Sequence, residues 1–163
     1  MSYAARTDRP ADKAARYAEV AEEIASVLEG EPNRVARMAT VASMLHDAFP
    51  AYFWTGFYVV DTDDELVVGP YQGTLGCLRI RFGKGVCGAA AATRQTQVVE
   101  DVHAFPGHIA CDSRSNSEIV VPVFDAKGEL IAVFDVDSTD FAAFDAVDTE
   151  WLERILNRAF ASA

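Results

Sequence analysis

The spacing of apolar residues divides the chain into helical ends and a strand-rich middle. Between Asp8 and Glu29 apolar residues recur at three- and four-residue steps, which predicts an amphipathic helix. The same spacing predicts a second helix from about Asn33 to Ala48 and a last helix from about Asp145 to Ala161. Both ends of the chain should therefore pack an apolar stripe against a core.

The middle of the chain has the pattern of a β-sheet. Aromatic and β-branched residues in YFWTGFYVV, after Pro50, predict a first strand, and Leu66 to Tyr71 is its expected hairpin partner. Further strands are predicted at Cys77 to Phe82, Gln97 to Glu100, Glu118 to Phe124 and Leu130 to Val136. Because most connections are short, the pairing should be mostly antiparallel. We expect an α+β fold with about six strands, the terminal helices on one face of the sheet and the long connections on the other.

The composition favours one domain without a polyanionic partner. With 163 residues, half of them apolar, the chain can form one substantial core, so we expect a single domain over 1–163. The helices should occupy 1–50 and 145–161, and the sheet and site loops 51–138. A net charge of -11 argues against nucleic acid and anionic membranes as partners. No apolar run is long enough to span a bilayer and the N-terminus has no signal-peptide core, so we expect a cytoplasmic protein.

Three cysteines are the first candidates for chemistry, and this odd number argues against a framework of structural disulfides. Cys77 and Cys87 both fit the pattern of buried apolar residues. Cys111 differs because the polar segment HIACDSRSNSE surrounds it, so its thiol should be accessible. Arg114 and His108 are the nearby candidates for stabilising a Cys111 thiolate.

A zinc site formed by the three cysteines with His103 or His108 is an alternative. Zinc sites usually contain a pair of cysteines two to four residues apart, and the chain has no such pair. We therefore expect neither a metal nor another cofactor.

Carboxylates follow the most apolar strand. In LIAVFDVDS both alternating faces are apolar, which predicts a central strand covered on both sides. Asp135 and Asp137 continue one face, and Glu118 begins the preceding strand. Partly buried carboxylates repel one another, so one should have a raised pKa and be able to carry a proton near neutral pH. For Asp137, capping of a turn is an ordinary alternative.

Aromatic residues supply a possible binding surface. Alternation along the first strand places Trp54 and Tyr58 on the same face with Gly56 between them. Such a slot would suit a thioether or sulfoxide, because sulfur makes favourable contacts with aromatic rings. Core packing is the alternative interpretation.

Three glycines, Gly83, Gly85 and Gly88, have the spacing of a dinucleotide-binding fingerprint. The chain lacks the alternating βαβ units which that fold requires, so we interpret the segment as a tight turn. The short alanine-rich helix that follows can then lie close to the sheet and position Cys87.

Five segments resemble, in order, the motifs of one enzyme family: FWTGFY, GPYQG, FGKGVCGAAAAT, VVEDVHAFPGHIACDSRSNSEIVVPVFD and FDVDS. The chain resembles the free methionine-(R)-sulfoxide reductases, single-domain enzymes with the GAF fold. The resemblance extends over roughly Phe53 to Ser138. It implies reduction of free L-methionine-(R)-sulfoxide, with thioredoxin as the reductant and a homodimer as the assembly.

The resemblance also implies roles for the candidate cysteines. Cys111 would attack the sulfoxide sulfur and become a sulfenic acid. Cys77 is the first choice to resolve it as a disulfide, with Cys87 as the alternative or as a second relay.

The other site residues follow from the same resemblance. Glu118, Asp135 and Asp137 would bind the substrate and promote protonation of the sulfoxide oxygen, while Trp54 and Tyr58 would contact its methyl end. A non-catalytic GAF module that binds a small ligand and senses redox state is the alternative.

Overall fold

The computed structural model describes residues 7–109 and 111–161, so residues 1–6, 110, 162 and 163 of the expected single domain lie outside the described residues. Four helices and six strands form the fold, as predicted for an α+β protein. The helices are α1 (Lys13–Leu28), α2 (Arg34–Ala48), α3 (Gly85–Thr93) and α4 (Ala146–Phe160). The strands are β1 (Trp54–Thr62), β2 (Glu65–Gln72), β3 (Arg79–Arg81), β4 (Gln97–Val99), β5 (Ser117–Phe124) and β6 (Leu130–Ser138).

All six strands belong to one sheet in the order β3-β2-β1-β6-β5-β4. Every neighbouring pair is antiparallel, which confirms the expected pairing. Strand β6 lies at the centre, between β1 and β5, and its middle residues are buried. Its apolar pattern therefore correctly indicated a strand covered on both faces.

Two predicted elements begin later than expected, for local reasons. Helix α1 begins at Lys13 rather than near Asp8, because the Asp12 side chain accepts a hydrogen bond from the Ala15 amide and caps the first turn. Strand β3 is shorter than the predicted strand from Cys77, because Cys77 is held in a disulfide outside the β-ladder.

The two faces of the sheet carry separate apolar cores. Helices α1, α2 and α4 cover one face, against residues such as Phe57 and Phe134, as expected for the terminal helices. Helix α3 and the long connections cover the other face, where Leu66 and Val133 are buried. We call these the helical face and the site face. Within the described residues, no helix has the length and apolar character needed to cross a bilayer.

The glycine-rich turn holds α3 against the site face. Gly83 and Gly85 have φ angles of +82° and +60°, a backbone conformation that other residues rarely adopt. A side chain at Gly88 would place its Cβ 2.4 Å from the carbonyl oxygen of Arg81. The glycines thus form a tight turn with close packing, and this turn leaves Cys87 buried against the sheet.

Candidate active site

Strand register brings the three predicted carboxylates together. Asp137 on β6 lies opposite Glu118 on one neighbouring strand and opposite Trp54 on the other. Asp135 is two residues earlier on the same strand, opposite Gly56, so its side chain lies on the same face of the sheet as that of Asp137. All three carboxylates contribute to one cavity on the site face.

The carboxylate cluster lies in an environment that disfavours charge. Glu118 is 5% exposed and Asp135 is 4% exposed. Burial raises the pKa of Glu118 and of Asp137 well above the ordinary values, and repulsion from Asp135 raises both further. Burial also raises the pKa of Asp135, but hydrogen bonds with Glu118 and Cys87 partly offset this shift. The cluster can therefore hold protons at a pH where isolated carboxyls are ionised, as predicted.

One atom of the cluster is left without a partner. The Oδ1 atom of Asp135 is buried and accepts no hydrogen bond from residues 7–109 or 111–161. A buried polar atom of this kind destabilises a fold unless something else satisfies it. A ligand that donates a hydrogen bond at this point would satisfy it.

Cys77 and Cys111 form a disulfide with their Cα atoms 5.6 Å apart. Cys111 is exposed and Cys77 is half-buried, so solvent reaches this bond. Cys87 is a free and buried thiol. Burial raises the pKa of Cys87, and the neighbouring Asp135 and Glu118 raise it further, so it remains a neutral thiol near neutral pH.

The disulfide, the carboxylates and the aromatic residues enclose a small cavity. Its volume is about 30 Å³, enough for one or two water molecules at ~10–15 Å³ each. The space at the site is therefore small in the disulfide-bonded form. The lining residues are Trp54, Tyr58, Leu75, Gly76, Ile80, Lys84, Gly85, Val86, Cys87, His108, Ile109, Cys111, Asp112, Ser115, Glu118, Asp135 and Asp137.

The slot expected between Trp54 and Tyr58 is closed. Their rings stack with centroids 5.6 Å apart, and Tyr71 stacks on Trp54 at 5.0 Å. The absence of a side chain at Gly56 admits Tyr71, because a Cβ there would lie 2.2 Å from the Tyr71 Cβ. The prediction of a slot at this glycine was wrong, since a residue of the neighbouring strand fills the space. Trp54 and Tyr58 contribute to the cavity as a stacked wall.

A hydrogen-bonded chain fastens the Cys111 loop to the rest of the site. Thr74 donates its hydroxyl to Asp112 at 2.8 Å, and the Trp54 indole donates to the Thr74 carbonyl at 2.8 Å. Arg114 donates to Asp112 at 2.7 Å and lies over the Phe53 ring. Hydrogen bonds from Arg114 hold the pKa of Asp112 below its usual range.

The two basic residues predicted near Cys111 lie in different places, and two further residues anchor its loop. Arg114 is engaged by Asp112 and Phe53, whereas His108 lines the cavity. The anchoring roles of Thr74 and Asp112 had no sequence signal beyond the proximity of Asp112 to Cys111.

The histidines do not form the alternative zinc arrangement. Cys77 and Cys111 are joined to each other, and the His103 Nε2 atom lies 3.0 Å from Asn116 Oδ1. His108 Nε2 lies 3.8 Å from a Glu118 oxygen, and burial lowers the pKa of His108.

Comparison with known proteins gives a consistent result. The GAF domain family profile matches residues 35–159. The free methionine-R-sulfoxide reductase of Saccharomyces cerevisiae is 44% identical over 133 residues, which cover 78% of this chain and 74% of that protein. Among solved structures, a putative GAF sensor protein from Burkholderia vietnamiensis is 51% identical with a TM-score of 0.89, covering 94% of this chain and 96% of that chain. A free methionine-R-sulfoxide reductase from Neisseria meningitidis, solved in complex with its substrate, is 49% identical with a TM-score of 0.89, covering 96% of this chain and 93% of that chain.

Proposed function

The chain belongs to the GAF domain family and, within it, to the free methionine-R-sulfoxide reductases, and on this premise we propose that it reduces free L-methionine-(R)-sulfoxide to L-methionine. The observation that carries the proposal is the Cys77–Cys111 disulfide, which lies at a cavity containing three carboxylates of raised pKa. A thiol pair and a buried acid are the two groups that sulfoxide reduction needs.

The first step is attack by the reduced Cys111 thiolate on the sulfoxide sulfur. The attack forms a bond between the two sulfur atoms, and the sulfoxide oxygen takes a proton from a carboxyl group. The oxygen then moves to the Cys111 sulfur while the sulfur–sulfur bond and the original sulfur–oxygen bond break, and methionine leaves with an electron pair on its sulfur. Cys111 then carries the oxygen as a sulfenic acid. The Cys77 thiolate attacks the sulfur of Cys111, and the oxygen leaves as water after taking up a second proton. The product is the disulfide observed here.

The electrostatics support a division of labour among the carboxylates. Burial and repulsion from Asp135 raise the pKa of Glu118 and of Asp137, whereas hydrogen bonds from Glu118 and Cys87 favour the ionised form of Asp135. We assign Glu118 and Asp137 to protonation of the sulfoxide oxygen. Asp135, whose Oδ1 lacks a partner, is assigned to the substrate ammonium group. Trp54 and Tyr58 then form the apolar wall for the methyl end.

The proposal is tested by replacing the nucleophile. Purified protein with dithiothreitol should convert free L-methionine-(R)-sulfoxide to methionine, measured by amino-acid analysis, and Cys111→Ser should abolish this conversion. Ser113→Ala, an exposed change in the same loop, is the matched control and should retain it. Full activity of Cys111→Ser would refute the assignment.

The alternative is a non-catalytic GAF module that binds a small ligand and senses redox state. The name of the Burkholderia relative, a putative GAF sensor, makes this second candidate worth a direct test. A sensor would change conformation on binding the sulfoxide but would produce no methionine. NADPH consumption in the presence of thioredoxin and its reductase therefore separates the two functions.

Three further expectations belong to this proposal. Thioredoxin is proposed as the physiological reductant, because the disulfide is accessible to a thiol. A homodimer is proposed from membership of the family, and light scattering during gel filtration measures it. A cytoplasmic location agrees with an enzyme that must be kept reduced between turnovers.

A further inference from the structure

Large exposed apolar residues are concentrated around the disulfide. Among the described residues six have this character: Val35, Leu75, Leu78, Val98, Ile109 and Phe141. The two with the greatest exposed fractions are Leu75 at 78% and Leu78 at 70%. Leu75 and Leu78 each lie within two residues of Cys77, and Ile109 lies two residues from Cys111. Half of the exposed apolar set thus borders one covalent bond.

Two of these three residues lie at the cavity of the disulfide, and the third is next to Cys77 in sequence. Leu75 and Ile109 line the same cavity as Cys111, and Ile109 packs against the backbone at Gly85. Leu78 follows Cys77 directly and lies outside the cavity. We refer to Leu75, Leu78 and Ile109 as the apolar collar.

No packing contact within the described part of the fold explains why the apolar collar is exposed. The Leu75 and Leu78 side chains remain largely in water, and Ile109 is 40% exposed, although burying such a side chain fully gains about 1.5–3 kcal/mol. Exposed apolar side chains that cluster on a soluble protein commonly mark an interaction site. The bond inside the collar must be reduced after each turnover, so a partner has to approach this point.

We propose that the apolar collar is the docking surface for a protein dithiol reductant whose nucleophilic cysteine lies in an apolar surface of its own. The inference rests on the proposed function and adds the surface by which the partner binds. Contact between two apolar surfaces excludes water from around the disulfide and fixes the distance between the sulfur of the reductant and the sulfur that it attacks.

The docked reductant completes a balanced thiol–disulfide exchange. Its thiolate attacks the exposed Cys111 sulfur, the Cys77–Cys111 bond breaks, and Cys77 leaves as a thiolate that takes up a proton. The second thiol of the reductant then attacks its own sulfur in the mixed disulfide and releases Cys111. The enzyme gains two electrons, and the reductant leaves with a disulfide.

The test compares two reductants on one substitution in the collar. Leu78→Asp places a charge in the collar without altering a residue that lines the cavity. Val35→Asp is the matched control, because Val35 is 63% exposed and lies in α2, on the opposite face of the sheet. Each variant is assayed with thioredoxin and, separately, with dithiothreitol, which is too small to need a docking surface.

The expected result is a selective loss. Leu78→Asp should lower kcat/KM for thioredoxin about tenfold or more, the loss expected for one anchor residue of an interface. Its rate with dithiothreitol, and both rates of Val35→Asp, should stay within about twofold of the parent protein, as for surface changes away from an interface.

Other outcomes are distinguishable. An equal thioredoxin rate for Leu78→Asp and Val35→Asp would overturn the docking surface, as would turnover of the parent protein with dithiothreitol but not with thioredoxin. Absence of turnover with either reductant would refute the proposed function and the docking surface with it.

Discussion

Each face of the sheet buries a carboxylate, and the two carboxylates differ in whether their oxygen atoms have hydrogen-bond donors. On the helical face Asp148 is 2% exposed and accepts hydrogen bonds from the Tyr17 hydroxyl at 2.5 Å and from the Lys13 ammonium at 2.8 Å. Its Oδ2 atom also accepts from the Asp145 amide, closing the capping box of α4. On the site face Asp135 is 4% exposed, and its Oδ1 atom accepts nothing.

This difference separates a carboxylate with a structural role from one for which we propose a role in substrate binding. Asp148 joins α1 to α4 and has a cation and donors already in place, so it stabilises the fold as it stands. Asp135 lies beside two further carboxyls with raised pKa, so the folded state is destabilised there unless a ligand or a proton intervenes. Binding and catalytic sites commonly lower the stability of the folded state in this way.

Removal of the structural carboxylate should give the largest change in stability. Asp148→Ala removes a buried acceptor from the Tyr17 hydroxyl and the Lys13 ammonium and breaks the capping box of α4, so the free energy of unfolding should fall by about 2–3 kcal/mol. Urea unfolding measures this change. Glu150→Ala on the same helix removes only an exposed pair with Arg154 and should cost about 0.5 kcal/mol at most. Equal losses for the two variants would contradict the assigned structural role.

Neutralising the functional carboxylate should separate stability from activity. Asp135→Asn removes a source of repulsion, so the free energy of unfolding should rise by about 1 kcal/mol. The kcat/KM for the sulfoxide should fall about 100-fold, since the substrate ammonium loses its counter-charge. The same substitution at Asp148 should lower stability, so a loss of stability at both positions would remove the contrast between the faces.

The pH dependence of the free energy of unfolding should report on the carboxyl groups of the site face. The native state keeps protons on Glu118 and Asp137 that the unfolded chain loses above ordinary pKa values of 4.5 and 3.8. Above these values the native state binds more protons than the unfolded chain. The free energy of unfolding should therefore fall as pH rises, by up to about 1.4 kcal/mol per pH unit for each extra proton. Urea unfolding of the disulfide form between pH 5 and 8 measures the slope. Glu118→Gln should make it shallower, and an unchanged slope would count against the raised pKa.

The smallest effect is expected at the free thiol. Cys87→Ala should slow formation of the disulfide less than about threefold, because the neutral buried thiol is a poor nucleophile. Peptide mapping after a single turnover should still find Cys77 linked to Cys111. Loss of that link, or a link between Cys77 and Cys87 in the parent protein, would instead support Cys87 as the resolving cysteine or as a relay.

The architecture could be predicted from the amino-acid sequence because the signals for helices and strands are local. The pattern of β6, apolar on both faces, indicated its central position, and the carboxylates on one of its faces were predicted to cluster. The slot at Gly56 failed because the residue that fills it, Tyr71, comes from β2. Periodicity within one strand carries no information about what its neighbour places over a glycine.

The amino-acid sequence by itself determined the helical ends, the antiparallel sheet and the set of candidate site residues. Each of these follows from periodicity, turn residues or residue type, which act over a few positions. Only the tertiary structure decided that Asp137 lies opposite Glu118 and that Cys77 pairs with Cys111. It also decided that one buried carboxylate is satisfied and another is not, because burial, register and hydrogen bonding depend on chain segments far apart in sequence.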